Sequence, residues 1–88
     1  MEIRIEPHTL ERAVERGTSK EEIIQVIEKG KSVEAKSGRK GKALVLDFKQ
    51  DRNGKYYEQK KIEVYYIEET KMIITVTVYV FYGKNFKT

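Results

Sequence analysis

Up to Gly30 the apolar residues recur at every third or fourth position, and from Ala43 onward at every second, so the chain passes from helical to strand periodicity. Before the helical part, "MEIRI" alternates, with Ile3 and Ile5 on one face and Glu2 and Arg4 on the other, which predicts a short half-buried strand. Pro7 suits a first helical turn, where its missing N–H costs nothing. From Pro7 to Arg16, the spacing of Leu10, Ala13 and Val14 predicts a helix buried along that stripe and ended by Gly17. "TSKEEIIQVIEKG" predicts a second helix, opened by Ser19 with Glu22 as a capping box and stopped by Gly30. Its expected buried face is Ile23, Ile24, Val26 and Ile27. Only a short connection separates the two helices, which predicts an αα-hairpin.

Beyond Gly30, "KSVEAKSGRKG" reads as a short strand or a loop. "KALVLDFKQ" puts Leu44, Leu46 and Phe48 on one face of a strand, with Val45, Asp47 and Lys49 on the other. The Asn53–Gly54 pair predicts a tight hairpin onto a strand from Tyr56 to about Ile67. A turn near "EETK" leads to "MIITVTVYVFY", where Ile74, Val76, Val78 and Val80 are expected on one face and Thr75, Thr77, Tyr79 and Phe81 on the other. The order β-α-α-β-β-β predicts a two-layer α+β domain over residues 1–88, two N-terminal helices packed on an antiparallel β-meander. Its second sheet face, carrying Thr75, Thr77, Tyr79, Tyr65 and Lys49, has nothing left to cover it and is either solvated surface or a binding platform.

Composition sharpens this outline. At 39% hydrophobic and 36% charged residues the chain is apolar enough to fold and has a densely charged surface. A net charge of +4 favours an anionic partner, RNA first, although ion pairing at the surface would produce similar numbers of Lys and Glu. Zero cysteines exclude disulfides and thiolate metal sites. No apolar run approaches membrane-spanning length and "MEIRIEPH" lacks a signal-peptide core, so the expected location is cytoplasmic, without membrane contact.

The candidate chemistry lies first in "PHTLERAVERG". On a helix His8, Arg12 and Arg16 fall within roughly 80° of one another and nearly opposite Leu10, Ala13 and Val14. Such a face is either solvated or a site. The like-charged pairs Glu11/Glu15 and Arg12/Arg16 at i, i+4 are poor choices for helix stability alone. His8, the single histidine, is a residue type able to accept a proton near neutral pH, its bland alternative being a capping or exposed role. No carboxylate set has metal-ligand spacing, no phosphate loop is present, and no cofactor is expected. What remains suits metal-free phosphodiester chemistry. His8 would be base or acid, Arg12 and Arg39 would lie on the phosphate, and Tyr79 would stack or donate a proton. Arg16, Arg39, Lys40, Lys42, Lys49 and Tyr65 are the expected RNA contacts.

"PHTLERAVERGTSKEEIIQVIEKG" resembles the opening of the domain of unknown function 4258 family, and "KIEVYYIEETKMIITVTVY" is similar to its closing hairpin. The resemblance implies a RelE-like fold of two helices on an antiparallel sheet and a relation to RelE and BrnT type toxins, which are metal-independent ribonucleases. His8, Arg12, Arg16 and Gly17 carry over by position. The implied function is an endoribonuclease like the toxin of a type II toxin–antitoxin pair, acting on single-stranded or ribosome-associated RNA and paired with a cognate antitoxin. The alternative is a non-catalytic RNA- or protein-binding module of the same fold, and a third reading is a protein that contacts no nucleic acid.

Overall fold

The computed structural model describes residues 1–87; the last residue of the expected domain lies outside them. Along the chain run β1 (Glu2–Arg4), α1 (Pro7–Arg16), α2 (Lys20–Lys29), β2 (Lys31–Val33), β3 (Lys40–Arg52), β4 (Lys55–Glu69) and β5 (Met72–Gly83). The expected α+β architecture is present, with one strand more, because "KSV" pairs along β3 before the chain turns through Ser37 and Gly38, both at positive φ. The strands lie in the order β1-β5-β4-β3-β2. From β2 to β5 every pairing is antiparallel. β1, by contrast, pairs parallel to β5, Glu2 with Met72 and Arg4 with Ile74, so the sheet is mixed where an antiparallel one was expected. The whole chain separates those two strands, so no hairpin constrains their relative direction.

α2 forms over the predicted span, but only the Ser19 half of its expected capping box closes, because the Glu22 carboxylate accepts from Thr18 and Lys60 instead. Ser19 accepts from the Glu22 N–H at 3.2 Å, and Ile23, Val26 and Ile27 are buried, with Ile24 only half so. The three buried residues join Ile62, Val64 and Tyr66 of β4 and Ile73 and Val78 of β5 in one buried cluster, with α2 lying over β3 and β4. Asn53 and Gly54 both take positive φ, as a two-residue hairpin following the right-handed strand twist requires. Removing the apolar face of α2 from water supplies most of the driving force for closing helix layer on sheet.

Two departures from simple alternation position the candidate residues. β3 carries a bulge between Asp47 and Gln50, with Lys49 at positive φ. β5 carries another: Tyr65 pairs with Thr77 but Tyr66 pairs with Thr75, so Val76 is an extra residue. The bulge shifts the phase of β5. Thr75 is therefore buried beside Ile73 on the helix side, where it was expected on the open face, while Val78 keeps its core position.

α1 differs from expectation more strongly. Its fully buried residues are Thr9 and Ala13, whereas Leu10 is 39% and Val14 is 73% exposed. The helix is rotated so that the arc from Thr9 through Arg16 faces β5, and the predicted Leu10/Val14 flank faces water. The physical reason lies in what α1 covers. It lies on β5, whose outer edge loses its strand partner after Ile74, and the acceptors there are carbonyls rather than methyl groups.

A basic ridge on the edge of strand β5

His8 and Arg16 meet those carbonyls. The Nε2 of His8 lies 2.8 Å from the Val76 oxygen, at the bulge, and Arg16 Nη1 donates to the Val78 oxygen. An unpaired strand edge invites association with other chains, and covering it with a helix is one way proteins blunt it. Here the cover includes the motif residues themselves. A carbonyl oxygen only accepts, so Nε2 is the protonated ring nitrogen when the ring is neutral, and Nδ1 is the free acceptor. Arg12, between them on the helix, turns outward and pairs with Glu15 at 3.1 Å.

Tyr79 completes the ridge. The Arg16 guanidinium carbon is 5.2 Å from the Tyr79 ring centroid, and the Tyr79 ring meets Tyr65 edge-on at 6.0 Å. Tyr65 donates from its hydroxyl to Glu63 Oε1 at 2.9 Å. Burial first, and then the Glu63 carboxylate, push the Tyr65 phenol above its ordinary value, so it stays a neutral donor. The Tyr65 ring rests on Gly41, where an added Cβ would come within 2.8 Å of it.

The structure therefore brings His8, Arg16, Tyr79 and Tyr65 together and sets Arg12 beside them. The remaining expected contacts do not join the group. Arg39 is in the exposed turn before β3, and Lys40 pairs with Glu68 at 3.1 Å. Lys42, opposite the core residue Val64, lies on the helix side of the sheet, away from Tyr65. Lys49 sits in the bulge with Asp47 3.9 Å away, nine residues along β3 from Lys40 and so about 30 Å distant.

Behind the ridge, the end of α1 is held by three donors from three strands. Arg52 of β3 donates to the Glu15 carbonyl at 2.9 Å, Tyr82 of β5 to that of Arg16, and Lys60 of β4 to that of Gly17 at 2.9 Å. Cations suit a helix C-terminus, where the last carbonyls lack partners within the helix. Gly17 is required here twice over: its φ is 86°, and a Cβ would run into Tyr82 Oη and Arg52 Nη1. Lys60 is buried and also pairs with Glu22 at 2.7 Å. Sequence periodicity missed this cluster. Its only signal was the glycine that marks the helix end.

A depression of about 470 Å³ is lined by Tyr56, Tyr57 and Tyr82 with Lys55 and Lys84, and it includes none of His8, Arg12 or Tyr79. Among the described residues no group of three or more His, Asp or Glu side chains could hold a metal ion, and no helix is long and apolar enough to cross a membrane.

The class these features define is a two-layer α+β domain whose first helix is bonded through His and Arg to the edge of its last strand. The chain belongs to the family described as Domain of unknown function (DUF4258), whose model matches residues 5–80. The matched segment contains both partners of each edge contact, His8 with Val76 and Arg16 with Val78. Comparison with curated proteins and with solved structures finds no match.

Proposed function

We propose that this protein binds single-stranded RNA on the open face of its sheet, as a non-catalytic module of a RelE-like fold. The observation that carries this reading is the Arg16 guanidinium lying over Tyr79, a ring 42% exposed on the sheet face away from the helices, with Phe81 46% exposed two residues on. Aromatic rings on an open sheet stack splayed bases, and an arginine beside them serves the phosphate. His8 and Arg16 already have a structural task in closing the strand edge, and that task needs no catalysis.

The test is fluorescence anisotropy with a labelled single-stranded oligoribonucleotide. Tyr79→Ala combined with Phe81→Ala should weaken binding at least tenfold, since stacking contributes about 1–3 kcal/mol per base. Binding that is absent in the wild type, or unchanged in the double variant, would sink the proposal.

One observation favours a second reading, the metal-independent endoribonuclease related to RelE and BrnT type toxins, cytoplasmic and paired with an antitoxin. The Val76 carbonyl orients the His8 ring and leaves Nδ1 free to take a proton from a 2′-hydroxyl, with Arg12 one helical turn along to meet the phosphate. Attack of the 2′-oxygen breaks the bond from phosphorus to the 5′-oxygen, which takes its proton from Tyr79 or water; cleavage by this route leaves a 2′,3′-cyclic phosphate, persists in EDTA and is lost in His8→Ala. RNA that stays intact at stoichiometric protein concentrations excludes it.

A further inference from the structure

We propose that Lys29, Lys31, Lys61 and Lys87 form a phosphate subsite at the outer edge of β3, and that RNA crosses the strands from there to Tyr79 and Phe81. This rests on the RNA-binding reading and adds the path and the direction of the bound strand. Three elements and the C-terminal segment deliver these lysines to one depression of about 300 Å³. Lys29 comes from the last turn of α2, Lys31 opens β2, and Lys61 lies on β4. Lys87 is brought back by the segment after β5, where the Phe86 N–H donates to Gln59 Oε1 at 2.9 Å and the Phe86 ring packs on Gly83.

The chemistry of the lining is one-sided. Among the described residues it holds, beside the lysines, Val33, Ala43, Leu44, Val45 and Ser32, and no carboxylate. Of these four lysines, Lys61 has an ion partner, Glu63 at 3.4 Å, and Lys29, Lys31 and Lys87 have none within 4.0 Å among the described residues. Three cations without an ion partner, gathered beside the paired Lys61, repel one another, and an anion bound among them relieves that repulsion. Pairing of β2 stops at Lys31 with Ala43, so from Leu44 on β3 has a neighbouring strand only on its β4 side and the depression stays open at the outer side.

Register connects this depression to the aromatic ridge. Lys31 pairs with Ala43, Ala43 with Glu63, and Glu63 with Tyr79; one step along, Val45 pairs with Lys61 and Lys61 with Phe81. These residues alternate with core positions and so share the open face. Three strand spacings separate Tyr79 from Lys31, about 14 Å. An oligonucleotide lying across the strands therefore meets rings at β5 and ammonium groups beyond β3.

The experiment is a salt titration of single-stranded oligoribonucleotide binding by anisotropy, comparing wild type with Lys29→Gln/Lys31→Gln/Lys87→Gln. A second triple variant, Lys20→Gln/Lys36→Gln/Lys71→Gln, makes the same charge change at exposed positions elsewhere. Circular dichroism checks that both are folded. If the subsite exists, the first variant loses up to about 2 units of slope in log Kd against log salt, at about 0.7 per phosphate contact, and the second loses little. Wild-type binding with equal slopes in both variants overturns the subsite and leaves the open-face reading standing. If the first variant keeps its affinity but aggregates, the lysines only guard a free strand edge, which also overturns the subsite. Wild type that binds an acidic peptide and no RNA overturns both proposals.

Discussion

Arg16 donates to the backbone carbonyl of Val78, so a side chain from the first helix closes an acceptor on the last strand. The same guanidinium covers Tyr79, and its alternative, an unpaired carbonyl at a sheet edge, is open to other chains. Arg16→Ala should cost about 1.5–3 kcal/mol, the range for hydrogen bonds to charged groups, and Arg16→Lys should recover only part, since an ammonium lacks the planar stack. Urea denaturation gives the first figure. Hydrogen exchange should accelerate around residues 76–79 before it changes in α2, and exchange that rises evenly along the chain would refute an edge role.

Lys60 and Glu22 form an ion pair in which the lysine side chain is only 9% exposed. Removing one partner leaves the other charge without compensation, so Glu22→Gln and Lys60→Met should each destabilise by about 3 kcal/mol. Their combination should be less damaging than the sum of the two. A double-mutant cycle on unfolding free energies measures this, and simple additivity would show that the pair does not couple.

Alkaline pH should destabilise the fold through its buried phenols. Burial raises the phenols of Tyr66 and Tyr82 above their ordinary value, near Tyr82 partly offset by Arg52. Between the ordinary value of about 10 and the raised folded one, the unfolded chain has lost protons that the folded chain keeps. Stability is thus fully present below about pH 10 and falls as pH rises through that window. Tyr66→Phe and Tyr82→Phe should flatten the fall, as followed by thermal melts from pH 8 to 11. An unchanged slope in both would contradict the assignment.

Layer, element order and hairpins were legible in the sequence because each rests on local signals: Ser19 and Gly30 at the ends of α2, Asn53–Gly54 at the turn, alternation along Leu44, Leu46 and Phe48. The facing of α1 was not. Apolar periodicity rewards Leu10 and Val14, but a helix laid on a strand edge turns toward carbonyls, and Thr9 buries its methyl where a polar letter reads as surface. Nor was the face of Thr75 legible, since one unpaired residue at Val76 inverts the pattern. The lysine cluster was hidden for a third reason: its members come from four segments, and only register assembles them.

The contacts of His8 and Arg16 join residues 68 and 62 positions apart, and the Glu6 N–H reaches Thr75 across 69. During synthesis, α1 must therefore wait for β5. The β3–β4 and β4–β5 hairpins close from local contacts, whereas α1 has no strand to cover until β5 has emerged. A nascent chain stalled before Val76 carries its helix without its edge, and the emergence of β5 is the event that seals the sheet.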